Sequence, residues 1–269
     1  MDLGLNGRVA IVTGASRGIG AATTTALRRE GCEVLAVARG AEALQAISGA
    51  LGPEEDHREP LGRVVPFAAD VTAPDGPTSI IAACIEAFGR VDVLVNNAGG
   101  AEPRRLDRLD DEAWRAAFEL NFFAAVRMSA AALPEMRARR WGRLVHVASV
   151  SGREPDPLFA PYSAAKAAML NYSTSLSQAY AADGVLSSCV VPGVTLTELV
   201  ADNASAASAR LGSSPDEVMA TMLQRHRVAA GRFGEVDEVA AAIVFLASER
   251  ASWITGATLE VDGGTLRSV

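Results

Sequence analysis

The chain has 269 residues, 49% of them apolar, and carries 25 basic against 32 acidic side chains, for a formal net charge of −7. A net acidic chain with no basic run argues against nucleic acid or an anionic membrane as main partner, and no stretch approaches 18 uninterrupted apolar residues. Cys32, Cys84 and Cys189 lie too far apart for a zinc site or a disulfide framework, as expected of a reducing cytoplasm, and the opening residues run into a strand-like segment unlike a cleavable signal.

In chain order, RVAIVT (8–13), EVLAVA (33–38), RVVPFA (63–68), VDVLVN (91–96), RLVHVAS (143–149), VLSSCVV (185–191) and TLEVD (258–262) read as strands. Windows near 17–30, 40–51, 76–89, 110–138, 160–182 and 235–248 read as helices between them. Strict alternation predicts an α/β fold, a doubly wound parallel sheet of about seven strands with helices on both faces. No linker divides the chain, so 1–269 is expected to form a single domain. PEEDHREP (53–60) reads as a solvated loop on the sheet edge opposite to ligand binding. The segment 194–232 falls on the ligand side and is expected to form a substrate lid. Within it, Ser214-Pro215-Asp216-Glu217 is a capping-box arrangement, followed by an apolar stripe of Val218, Met219, Met222 and Leu223.

TGASRGIG (13–20) follows a strand and opens a helix, the context in which a glycine pattern holds a pyrophosphate on a helix N-terminus. Gly14 permits a tight turn, Gly18 a close backbone approach, and Gly20 helix packing on the strand. Three residues separate the first two glycines, which departs from the G-x-G-x-x-G spacing. An NAD site usually has an acid at the end of the second strand for the ribose 2′-hydroxyl. Here that strand ends Ala38-Arg39, with Glu33 at the wrong end. Arg17 and Arg39 would therefore meet a 2′-phosphate, and NADP(H) is expected in preference to NAD(H).

Of the 25 basic residues, 24 are arginine and Lys166 is the only lysine. It stands four residues after Tyr162 in YSAAK (162–166), on the same face of the predicted helix. A phenol is a poor base at neutral pH, and a nearby ammonium would lower its pKa. Ser149, ending the fifth strand, is placed to polarise a carbonyl oxygen. Arg104 and Arg105, after the fourth strand, lie on the same side and read first as exposed charge on a loop, with attraction of a substrate carboxylate or phosphate as the alternative.

Together with the Asp70-Val71 pair, NNAG (96–99), Asn121, Pro192-Gly193 followed by Thr197, GRFGEVDEVA (231–240) and TGATLEVDGG (255–264), these motifs give the chain its family likeness. It resembles the short-chain dehydrogenases/reductases of the single-domain type, including 3-oxoacyl-carrier-protein reductase-like members, along essentially its whole length. The resemblance implies a Rossmann-type fold with Tyr162 as general acid/base and Lys166 on the nicotinamide ribose. Ser149 would hold the substrate oxygen and Asn121 would anchor a relay water. Gly14, Ser16, Arg17, Gly18, Ile19 and Gly20 would hold the cofactor phosphates. Asp70 and Val71 would contact adenine, Asn97, Ala98 and Gly99 would flank the cofactor, and Pro192, Gly193, Thr195 and Thr197 would meet the nicotinamide side. No metal is implied.

The activity implied is NADPH-dependent reduction of a small-molecule carbonyl, or oxidation of the alcohol. A cofactor-binding regulatory or scaffolding protein and a C=C reductase are the alternatives. Relatives commonly form homotetramers through the two long helices, here near 110–138 and 160–182. Leu186, Ser187 and Ser188 depart from the family pattern and are expected to loosen local hydrogen bonding. Arg140 matches one of two carrier-docking arginines, whereas Gln178 occupies the other position.

Overall fold

The computed structural model describes residues 2–50 and 61–267, so the charged 53–60 stretch lies outside the described residues. The chain runs β1 (Val9–Thr13), α1 (Gly18–Arg29), β2 (Glu33–Ala38), α2 (Ala41–Ala50), β3 (Val64–Ala68), α3 (Gly76–Phe88) and β4 (Val93–Asn96). It continues with α4 (Asp111–Phe118), α5 (Ala124–Ala138), β5 (Gly142–Val147), α6 (Ala160–Tyr180) and β6 (Val185–Pro192). The last elements are α7 (Glu198–Leu211), α8 (Pro215–His226), α9 (Val236–Ala247) and β7 (Thr258–Val261).

The seven strands form one sheet in the order β3-β2-β1-β4-β5-β6-β7, every neighbouring pair parallel. Because side chains alternate across a strand, the apolar runs serve two cores at once. Ala10, Val12, Val34, Val93 and Val95 face Leu27 of α1 and Val239, Ile243 and Val244 of α9. Val9, Ile11, Leu35 and Leu94 face Ile80 and Cys84 of α3 and Met128 and Met136 of α5. The strand order reverses direction between β1 and β4, and in such sheets the crevice at the carboxyl ends of those two strands is where ligands bind.

One expectation is corrected. The predicted helix 110–138 is interrupted by a five-residue π-helical turn, Glu119–Phe123, between α4 and α5. The helical run Asp111–Ala138 is also long and apolar enough, by length and composition, to cross a bilayer, which a search for uninterrupted apolar residues overlooks. Its apolar side is already used: Ala124, Met128, Ala132 and Met136 are buried in the core. The insertion 194–232 contains two helices. The capping box closes as predicted, with Ser214 N–H donating to Glu217 Oε2 at 2.8 Å and Glu217 N–H to Ser214 Oγ at 3.2 Å. Its apolar stripe is half-buried.

One polar group lies in the middle of the sheet. His146 on β5 is 0% exposed. Its Nδ1 is 3.2 Å from Asn96 Nδ2, which also donates to Ser129 Oγ at 3.2 Å. Burial, aided by the nearby Lys166 charge, pushes its pKa from 6.5 down to about 3. Below pH 6.5 the unfolded chain takes up a proton at this ring while the native chain does not until about pH 3. Stability from His146 is therefore present above pH 6.5 and is lost as pH falls through that window. In urea titrations between pH 7 and 4, wild type should lose stability more steeply than His146→Asn, by up to about 1.4 kcal/mol per pH unit. Parallel pH curves would show that the ring is not buried neutral.

Candidate active site

At the carboxyl end of β1 the chain turns through Gly14 and enters α1 at Gly18. Gly18 has φ +55°, a left-handed value that glycine adopts without strain. A Cβ on Gly20 would fall 2.1 Å from the carbonyl oxygen of Gly14, so only glycine lets the helix pass this close to the loop. Arg17 precedes the helix in extended conformation without a side-chain cap, and no acid stands in the first turn. The N–H groups of the first turn are thus left to an anion.

The next strand end is tied to this loop. Asn97 Nδ2 donates to the carbonyls of Thr13 (2.9 Å) and Gly14 (3.2 Å). The N–H groups of Asn97 and Ala98 donate to Thr13 Oγ1 at 3.0 and 3.1 Å. Asn97 and Gly20 thereby shape the loop itself.

The crevice is a cavity of about 500 Å³. Among the residues singled out from the sequence, Gly14, Ser16, Arg17, Gly18 and Ile19 line its loop side, and Arg39, Asp70 and Val71 its outer end. Asn97, Ala98, Gly99 and Thr197 line the rest. Thr72 donates to Asp70 Oδ1 from its N–H (2.8 Å) and hydroxyl (2.7 Å), and these bonds, with Arg39, lower the Asp70 pKa. Arg17 and Arg39 are thus the cationic side chains lining the cavity.

Pro192, Gly193 and Thr195 are not among its lining. Pro192 pairs with Val261, Gly193 N–H donates to Val261 O at 3.0 Å, and Thr195 Oγ1 donates to Gly193 O at 3.3 Å. Sequence reasoning missed Gly40, Ala43, Leu120 and Glu198, which also line the cavity. Gly40 and Ala43 carried a signal, being small residues directly after Arg39. Glu198, whose Oε2 lies 3.6 Å from where a Gly18 Cβ would be, carried none.

Beyond Gly99 the proposed catalytic groups gather. The Cβ that Gly99 lacks would lie 2.8 Å from Asn121 Oδ1 and 3.4 Å from Lys166 Nζ. Asn121 is buried in the π-helical turn; its Nδ2 donates to Gly100 O (3.0 Å) and Ala117 O (2.9 Å), and its Oδ1 accepts from Gly100 N–H (3.0 Å). The side chain therefore clamps the loop after β4. Lys166 is 3% exposed and donates to Val147 O at 2.7 Å.

Three sequence expectations change here. Ser149 is not on β5, which ends at Val147; it caps the following 3₁₀ turn by accepting from Ser151 N–H at 3.1 Å. Tyr162 and Lys166 share a helix face, with Nζ 5.6 Å from the ring centroid. Yet the Tyr162 pKa is raised, not lowered: burial dominates, opposed by the nearby Ser149 side chain. The ammonium is engaged by Val147 O, and burial brings its own pKa down to about 8. The strand with unusual residues is loosened at Ser188, whose buried Oγ has no hydrogen-bond partner among the described residues, but not at Ser187. Ser187 Oγ lies 2.9 Å from Ser173 Oγ, and Ser187 N–H donates to Thr255 Oγ1 at 3.2 Å.

Of the outlying arginines, Arg105 is paired with Asp107 at 3.0 and 3.1 Å. Arg140 donates to Ala182 O at 3.0 Å.

Residues 8–208 match the family model described as short chain dehydrogenase. The chain is 37% identical to 3-oxoacyl-(acyl-carrier-protein) reductase FabG of Vibrio cholerae, over 97% of this chain and 98% of that protein. It is 38% identical to the cis-4-hydroxycyclohexanecarboxylate dehydrogenase of Sinomonas cyclohexanicum, over 96% of each. Among solved structures, L-sorbose reductase from Gluconobacter frateurii, in complex with NADPH and L-sorbose, superposes with a TM-score of 0.93 at 33% identity, covering 100% of both chains. With the glycine loop, the parallel sheet and this match over most of its length, the chain belongs to the short-chain dehydrogenase family of NAD(P)-dependent oxidoreductases.

Proposed function

We propose that the chain is an NADPH-dependent carbonyl reductase, working in reverse as an alcohol dehydrogenase, with Tyr162 as the group that moves the proton. The observation that carries this reading is the convergence of Lys166 and Asn121 on Gly99, at the end of the crevice, with the Tyr162 ring centroid 5.6 Å from Lys166 Nζ. The crevice fits a phosphorylated dinucleotide: a glycine cradle that a Cβ would fill, open N–H groups at α1, and Arg17 and Arg39. The complex of L-sorbose reductase with NADPH supports the same cofactor.

When bound, NADP(H) supplies or accepts the hydride. The first turn of α1 would hold its pyrophosphate, Arg17 and Arg39 its 2′-phosphate, and Lys166 the hydroxyls of its nicotinamide ribose. Tyr162, held protonated by burial, donates its phenolic proton to the substrate oxygen. Ser149 Oγ already accepts from Ser151 N–H, which leaves its hydroxyl hydrogen for that same oxygen. Asn121 keeps Gly100 in place and the proton path beside Lys166 open.

Residues 194–232 act as the lid over the substrate. The protein assembles as a homotetramer through its long helices, in keeping with an aromatic cluster of Phe118, Phe122, Phe123 and Tyr172, whose Phe123 is 45% exposed. It works in the cytoplasm on a small carbonyl or alcohol substrate.

Tyr162→Phe should lower kcat on the order of 1000-fold while NADPH binding, read by cofactor fluorescence, stays within about twofold. Lys166→Arg should lose activity on the order of 100-fold and also bind NADPH more weakly. Retained turnover in Tyr162→Phe would sink the mechanism. Wild type should show a kcat/KM with NADPH at least about tenfold above that with NADH, and Arg39→Ala should cut that ratio about tenfold. A preference for NADH would overturn the cofactor assignment.

A further inference from the structure

A second cavity, of about 310 Å³, opens between the end of α8, the loop after Ser149 and the last described residues of the chain. Val150 and Ser151 form its near wall. Ser151 N–H is bonded to Ser149 Oγ at 3.1 Å, so the cavity begins next to the hydroxyl that polarises the substrate oxygen.

The charges around it do not cancel. Asp156 is satisfied: both its oxygens take Arg225 at 2.6 Å, and Oδ1 also accepts from Leu158 N–H at 2.9 Å. Glu154 Oε1 accepts the backbone N–H of Arg267 at 3.3 Å. His226 is kept neutral, its pKa lowered by burial and by Arg225. That leaves the side chains of Arg227 and Arg267, which line the cavity and whose guanidinium groups have no hydrogen-bond or ion-pair partner among the described residues.

Arg227 also stands in a strained backbone. It follows α8 with φ +51° and ψ +42°, the left-handed conformation in which helix ends usually carry glycine. Among the described residues the other non-glycine with positive φ is Arg140, whose side chain is bonded to Ala182 O. Only at Arg227 does a left-handed backbone carry a guanidinium that nothing in the fold uses.

We infer that this cavity binds a carboxylate on the substrate, held by Arg227 and Arg267 while the reacting carbonyl sits at Ser149. The inference rests on the reductase reading and names its substrate class as keto acids and the corresponding hydroxy acids. A single negative charge suits the site better than a phosphate dianion, because the Glu154 carboxylate shares the cavity with the two free arginines. The volume, at the small end of ligand sites, accepts a short carbon chain ending in the acid.

The test uses levulinate and its longer methyl-ketone homologues, each against its own methyl ester, with NADPH oxidation as readout. Wild type should favour the best acid over its ester at least about tenfold in kcat/KM, mainly through KM. Arg227→Gly, which keeps the left-handed turn, and Arg267→Gln should each cost about tenfold on the acid and leave the ester unchanged. Equal rates for acids and esters, equal losses on both, or turnover of neutral ketones alone would overturn the carboxylate site and leave the reductase reading intact. If dihydroxyacetone phosphate outpaces every keto acid, the anion is a phosphate and the assignment fails. No NADPH oxidation with any carbonyl compound overturns the reductase reading itself, and the carboxylate site with it.

Discussion

The site depends on a polar splice between the ends of β1 and β4. Thr13 Oγ1 donates to Val95 O at 3.1 Å and accepts from Asn97 and Ala98, while the Asn97 amide returns bonds to Thr13 and Gly14. Each such bond contributes only about 1 kcal/mol net. Their placement matters more than their sum. They fix two adjacent strand ends where the winding of the sheet reverses, and so set the width of the crevice between the glycine loop and Gly99. Everything downstream is positioned from Gly99 and Gly100: Asn121 clamps Gly100, and Lys166 lies against Gly99.

At that end of the crevice the Tyr162 phenol is packed beside the Lys166 ammonium. Burial raises the phenol pKa above its ordinary value. Lys166 Nζ lies 5.6 Å from the ring centroid and donates to Val147 O. The Ser149 side chain opposes the effect of burial on the phenol. A cap residue of a 3₁₀ turn is well suited to this, because the turn fixes the oxygen through Ser151 N–H without using the hydroxyl hydrogen.

The layout of the sheet was legible because its central strands β1, β2 and β4 are apolar or nearly apolar runs bounded by polar or glycine-containing segments, and buried parallel strands admit little else. The glycine loop was legible for a similar reason: Gly18 holds a left-handed backbone that favours glycine, and Gly20 stands where no Cβ fits. What remained hidden depends on contacts between distant segments. The π-helical turn at Glu119–Phe123 exists where Asn121 turns its amide to Gly100 and Ala117, and no local pattern announces that partner. The raised pKa of Tyr162 follows from how deeply the ring is covered, which spacing along a helix does not report. Glu198 enters the crevice only because α7 begins over Gly18.

The single lysine among 25 basic residues acquires its physical reason from the same geometry. At 3% exposure Lys166 is squeezed between Val147 O and the bare face of Gly99, and Gly152 lies against its backbone within 3.0 to 3.2 Å of where a Cβ would point. An ammonium there has three donors, of which Val147 takes one, leaving two for hydroxyls or water. A guanidinium would bring five donors in a planar fork into a space already closed by backbone, and most would be buried without partners. Elsewhere arginine serves well: Arg225 reaches both oxygens of Asp156, and Arg232 both oxygens of Glu238. Position 166 therefore suits a compact cation, and burial there brings its pKa down to about 8.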